Sequence, residues 1–195
     1  MNLPNAITLF RILLIPVFMA FLLSTIPYGE AFAVGTFALA AASDSLDGYY
    51  ARRRRQVTTL GAFLDPLADK LLVSSALLAL VQLGKLSAWV AMVIITREFA
   101  VSGLRMVAAA EKVVIAASKM GKVKTAAQMV AIVFMIVDPG WSVWGLRLST
   151  MLMGVAVVLT LWSGIDYFVR AWDRLRVPTD VPAETSRKMD GKRRE

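Results

Sequence analysis

The sequence contains neither cysteine nor histidine. Disulfides, thiolate metal sites, cysteine nucleophiles and imidazole bases are thereby excluded. Any metal must be held by oxygen, and a carboxylate is the first choice as general base. Carboxylates are themselves scarce, with 14 Asp and Glu against 22 Lys and Arg in 195 residues and a formal charge of +8. Only 18% of the chain is charged and 57% is apolar, which points to one compact polytopic membrane domain. The apolar segments hold few Lys or Arg, and connections on one side collect most of them. Such asymmetry speaks of membrane orientation and anionic phosphate groups. With no aromatic-interleaved basic surface, nucleic acid is not an expected partner.

Six apolar segments follow one another: Ile12 to Tyr28, which makes a spanning helix if it begins near Ala6, then Ala31 to Tyr50, Gly61 to Leu83, Ser87 to Ala110, Thr125 to Val137 and Leu148 to Trp172. Most are long enough to span a bilayer as helices, and the short fifth becomes so if it begins near Val123. Residues Met1 to Arg11 lead in at the interface, with Pro16 tolerable inside a membrane helix. A cleaved signal peptide ending near Ala31-Phe32-Ala33 is the rival reading, disfavoured by an n-region with a single Arg and by the later apolar segments. The expectation is an all-α integral membrane protein with six transmembrane helices over residues 1–174, then a basic, disordered or surface-bound tail over 175–195. With the N-terminus in the cytoplasm, the inner connections carry Arg52 to Arg55, Lys112, Lys119, Lys122, Lys124 and the tail. The outer ones carry Lys85 and Arg147. Both termini are therefore expected inside.

The densest chemistry lies between Asp44 and Asp69. On helices, Asp44 and Asp47 are three apart and Asp65 and Asp69 four apart, so each pair shares a face. Two such pairs across a helix contact form a box of oxygen ligands whose mutual repulsion hard divalent cations would remove. One or two Mg2+ or Mn2+ ions fit, and two roughly 4 Å apart could clamp a diphosphate. Gly48 leaves a bare patch beside Asp47, Gly61 gives similar access on the next segment, and Arg52 offers a planar fork to phosphate oxygens. Taken singly, an intramembrane Asp is a hydrogen-bonding group and a Gly a packing site. Four Asp, two Gly and an Arg at these intervals are hard to explain by packing alone.

The pattern Asp44-x-x-Asp47-Gly48-x-x-Ala51-Arg52, eight residues, Gly61-x-x-x-Asp65-x-x-x-Asp69 resembles in full the signature of the CDP-alcohol phosphotransferases, membrane enzymes of phospholipid synthesis. Further stretches, NAITLFR from Asn5, GAFLDPLADK from Gly61, TREFAVSGLR from Thr96 and GKVKTAAQM from Gly121, are similar to the branch that uses glycerol 3-phosphate as acceptor. The resemblance implies the fold of that family, a homodimer in the bacterial inner membrane and an active site on the cytoplasmic side. It implies that Asp44, Asp47, Asp65 and Asp69 ligate the metals, and that Asp69 also takes the proton from the acceptor hydroxyl. Asn5, Thr8, Gly48, Arg52, Thr58 and Gly61 would contact CDP-diacylglycerol. The implied reaction transfers a phosphatidyl group to sn-glycerol 3-phosphate and releases CMP.

An acceptor with its own phosphomonoester needs a second cationic pocket, for which Arg97, Arg105, Lys122 and Lys124 are the candidates. Their competing role is pairing with Glu98 or Glu111 and anchoring at the interface. Within the family, the alternative acceptors are inositol phosphate, serine and phosphatidylglycerol. Outside it, the alternative is a small cation transporter, but Ala31 to Ser43 and Leu71 to Val81 carry no charge toward the outer face.

Overall fold

In a computed structural model the backbone is described over residues 3–54, 59–110, 119–143 and 145–176, and within these the side chains of 3–5, 44–54, 59–65, 110, 119, 120, 122 and 173–176 are not. Six α-helices form over the described residues: α1 Leu3–Leu23, α2 Gly29–Arg54, α3 Thr59–Gln82, α4 Ala88–Ala110, α5 Lys119–Val137 and α6 Leu148–Arg176. They follow the six apolar segments with shifted ends, α1 stopping at Leu23, five residues short of the expected Tyr28. α1 begins within its expected interfacial stretch, α2 continues through Arg54, and α6 passes the expected domain boundary to Arg176. Residues 177–195 of the expected tail lie outside the described residues.

Local chemistry sets the boundaries. Gly84, at φ 68°, ends α3 in a Schellman motif: Lys85 N donates to Leu80 O and Gly84 N to Val81 O, both at 3.0 Å. Ser87 O accepts the first bond of α4 from Ala91 N at 3.2 Å, so Ser87 stands at the N-cap. Asp138 turns α5 out at φ 34°, and Pro139 cannot continue it. Between α5 and α6 lies a small hairpin that hydropathy does not foretell. Its strands, β1 Ser142–Val143 and β2 Leu146–Arg147, pair antiparallel with Ser142 opposite Arg147.

α1 packs on α2 and α3, α3 on α4, α4 and α5 on α6, and α5 touches both α2 and α3. The interior is built from small side chains, Ala33, Ala40, Ala76, Ala79, Ala131 and Ala156 among them, around Phe18, Phe37, Leu77, Ile94, Ile132 and Ile136. Phe18 and Phe37 tie α1 to α2 with ring centroids 5.6 Å apart. Large apolar side chains face outward instead: Leu13 on α1, Trp89 and Met92 on α4, Val158, Trp162 and Ile165 on α6 are each more than half exposed. Small residues inside and bulky ones outside is the arrangement of a helix bundle surrounded by lipid, where close backbone approach replaces the hydrophobic effect.

By length and composition, two helices contain a spanning window among the described residues, Ala6–Leu23 and Leu148–Trp172. The apolar parts of α2 and α5 are shorter, Gly29–Ser43 and Val123–Val137. The charges that shorten them, from Asp44 onward on α2 and up to Lys122 on α5, belong to the segments singled out for chemistry. The opposite end of the bundle is closed by ion pairs. Lys85 Nζ donates to Glu30 Oε1 at 2.7 Å and to Ile136 O at the end of α5 at 2.6 Å, while Arg147 pairs with Asp138. Both cations expected outside are thus neutralised.

Candidate active site

The two helices carrying the acidic signature are consecutive and in contact. α2 is helical through positions 44, 47, 48 and 52, and α3 through positions 61, 65 and 69. Asp44 and Asp47 therefore stand about one turn apart on α2, and Asp65 and Asp69 about one turn apart on α3. The side chains of Asn5, Asp44, Asp47, Gly48, Arg52, Gly61, Asp65 and Lys122 lie outside the described residues, as does Thr58 altogether. Asp69 is described, half-buried and in contact with a partner. The donor set offers oxygen alone, from four carboxylates on two touching helices, and so suits Mg2+ or Mn2+.

Thr8, on the N-terminal half of α1, is fully buried, and so is Arg11 one turn further on. Hydropathy leaves Arg11 at the membrane surface; instead it is the largest fully buried polar side chain among the described residues, and it has a partner there. A charge inside a membrane bundle marks function or a buried pairing, and here that signal was present in a span otherwise free of charge.

The candidate acceptor residues divide into two groups. Arg97 and Lys124 come together on Glu98. Arg97 Nη1 donates to Glu98 Oε1 at 3.0 Å, Lys124 Nζ pairs with the same oxygen, and Lys70 Nζ lies 3.5 Å from Glu98 Oε2. Four charged side chains from α3, α4 and α5 thus meet where all are mostly buried. Lys70 is absent from the sequence-based candidates, and Glu98 enters them solely as a competing partner. Pairing between separate helices leaves no periodic trace in a sequence, which explains both omissions. Arg97 reaches further, its Nη2 donating to Ser163 Oγ on α6 at 2.6 Å.

Arg105 belongs to the second group. It is exposed, two turns along α4 from Arg97, roughly 12 Å at the helical rise. Its guanidinium carbon stands 5.6 Å from the centroid of the Tyr167 ring on α6. Cation and ring face make a favourable pair that holds the fork in place.

A family model for CDP-alcohol phosphatidyltransferase matches residues 1–162. The chain is 44% identical over 188 residues to the CDP-diacylglycerol–glycerol-3-phosphate 3-phosphatidyltransferase of Bacillus subtilis strain 168, covering 90% of this chain and 97% of that one. It is 44% identical over 194 residues to the protein of that name from Pseudomonas fluorescens, and 41% identical over 175 residues to that of Escherichia coli K12, with 93% and 94% of those chains covered. The match of the family model over residues 1–162 and the 41–44% identity to these relatives over most of the length place this chain in the CDP-alcohol phosphatidyltransferase family.

Proposed function

We infer that the protein transfers the phosphatidyl group of CDP-diacylglycerol to sn-glycerol 3-phosphate, giving phosphatidylglycerophosphate and CMP. The observation that carries this reading is the 41–44% identity, over 87–90% of this chain, to relatives that bear the name of that activity.

In this reading Asp69 accepts the proton of the acceptor's primary hydroxyl as its oxygen attacks the phosphatidyl phosphorus. The bond to the cytidylate oxygen breaks, and CMP departs with the electron pair. Asp44, Asp47, Asp65 and Asp69 would hold two ions of Mg2+ or Mn2+, whose charge when bound neutralises the diphosphate and eases departure of the leaving group. Gly48 and Gly61 give the nucleotide close access, Arg52 holds a phosphate oxygen, and Asn5, Thr8 and Thr58 line the nucleotide. Arg97 and Lys124, with Arg105 and Lys122, receive the acceptor's phosphomonoester. Catalysis of this kind is mostly positioning and electrostatics.

Six spans, with both termini and the acidic site on the cytoplasmic side of the inner membrane, agree with the charge asymmetry and with helix lengths of 19 to 29 residues, roughly 28 Å or more each. The acyl chains then stay in the bilayer while the head group enters the polar end. Homodimerisation and a separate basic tail belong to the same reading. The test is CMP release by the purified protein with CDP-diacylglycerol, a divalent metal and, separately, glycerol 3-phosphate, serine, inositol phosphate or phosphatidylglycerol. Turnover with glycerol 3-phosphate is expected; turnover with one of the others in its place would overturn the acceptor assignment.

A further inference from the structure

Among the described residues, the cations that meet Glu98 outnumber its single negative charge. Its two oxygens serve Lys70, Arg97 and Lys124, from three different helices, and the four groups together carry a net of two positive charges. All four side chains are 6–14% exposed. An excess of two positive charges within these four mostly buried groups suits the cluster to an anion of matching charge. A phosphomonoester at neutral pH carries about 1.5 to 2 negative charges.

Position narrows the ligand further. In sn-glycerol 3-phosphate three carbons separate the attacking hydroxyl from the phosphate, so the cations that hold the phosphate must lie close to the group that takes the proton. Lys70 immediately follows Asp69 on α3. Glu98 therefore anchors the phosphate-binding cations to the same helical turn as the base.

We propose that Glu98 is a positioning residue for the acceptor: its carboxylate draws Lys70, Arg97 and Lys124 into one cluster whose remaining charge receives the acceptor's phosphate. This rests on the acceptor subsite proposed above, and it adds Lys70 to that subsite. Without the carboxylate, three like charges on three helices repel one another, and long flexible stems let them part. The extra attraction for phosphate that a lost negative charge would bring is outweighed by the lost alignment, because among the described residues the carboxylate is the one partner that all three cations share, with Arg97 held on Ser163 as well.

The experiment uses the full chain in lipid nanodiscs and follows CMP release while each substrate is varied in turn. Glu98→Gln is expected to raise KM for glycerol 3-phosphate about tenfold or more, with KM for CDP-diacylglycerol moving less than about twofold. Glu98→Asp, which keeps the charge but draws it back by one methylene, is expected to fold and to lie between Gln and the parent. A purely structural role would move both KM values or kcat without this order. Lys124→Ala serves as the reference for the subsite itself. If it raises the acceptor KM while both Glu98 variants leave that constant unchanged or lower it, the positioning role is overturned and the subsite stands. If none of the three moves it, the subsite falls and the positioning role with it. Should Glu98→Gln fail to fold, an unchanged acceptor KM in Glu98→Asp overturns the proposal alone.

Discussion

The side chain of Arg97 passes directly over Gly164. A methyl group at position 164 would stand 3.1 Å from both Cγ and Nε of Arg97, and one residue earlier Ser163 Oγ receives Arg97 Nη2 at 2.6 Å. Ser163 and Gly164 on α6 thus form a seat for a guanidinium launched from α4. The seat sits beneath an open apolar groove of about 550 Å³ between the two helices, lined by Trp89, Met92, Leu161 and Phe168.

Gly164→Ala should therefore push Arg97 by a few tenths of an ångström. A stability loss of about 1 kcal/mol is expected for this mild overpacking. Thermal unfolding in nanodiscs measures that loss, and kinetics should show a higher acceptor KM with the lipid KM unchanged. An acceptor KM equal to the parent's would mean that Arg97 does not meet the acceptor.

Asp69→Asn removes the proposed proton acceptor while keeping its shape. Turnover should fall by about 10²–10⁴-fold, with CDP-diacylglycerol still bound. Rapid CMP release together with equilibrium lipid binding checks both halves, and full activity would refute the assigned base.

Arg105→Ala should raise KM for glycerol 3-phosphate and leave that for CDP-diacylglycerol near the parent value. Tyr167→Leu, which removes the ring beneath the guanidinium but no charge, should give a smaller change of the same kind. An effect confined to CDP-diacylglycerol would move Arg105 to the other substrate.

Chelation of divalent ions should abolish CMP release, and added Mg2+ or Mn2+ should restore it, because the four carboxylates proposed to hold the metal offer oxygen and the chain has neither thiol nor imidazole to compete with them. Activity that persists in excess chelator, after dialysis, would remove the metal from the reaction.

Lys85→Ala should loosen the far end of the bundle without touching the chemistry. It deletes the bond to Ile136 O and the pairing with Glu30, the latter half-exposed and weak. A loss of about 1 kcal/mol, read as a Tm lower by a few degrees with unchanged KM values, is the expected result.

Much of this architecture is legible in the order of the amino acids. Uncharged runs such as Ile12 to Tyr28 mark helices, Gly84-Lys85 and Asp138-Pro139-Gly140 mark their ends, and the positions from Asp44 to Asp69 fall on two helices in contact. The hairpin at 142–147 escapes because two-residue strands carry no alternation. Arg11 escapes because a single charge next to an apolar run reads as an anchor, whereas the helix continues past it and carries it inside. The cluster at Glu98 escapes because Lys70, Arg97 and Lys124 come from three helices, and which faces of α3, α4 and α5 meet is decided by packing.

The alanine-lined interior has its own consequence for mutational tolerance. A soluble core loses stability chiefly when side chains shrink, since each lost methylene opens a void. Here Ala33, Ala40, Ala76, Ala79 and Ala156 have almost nothing to lose, and any larger residue must force two backbones apart. A saturation scan of this bundle would record growth, rather than truncation, as the damaging direction along its helix contacts.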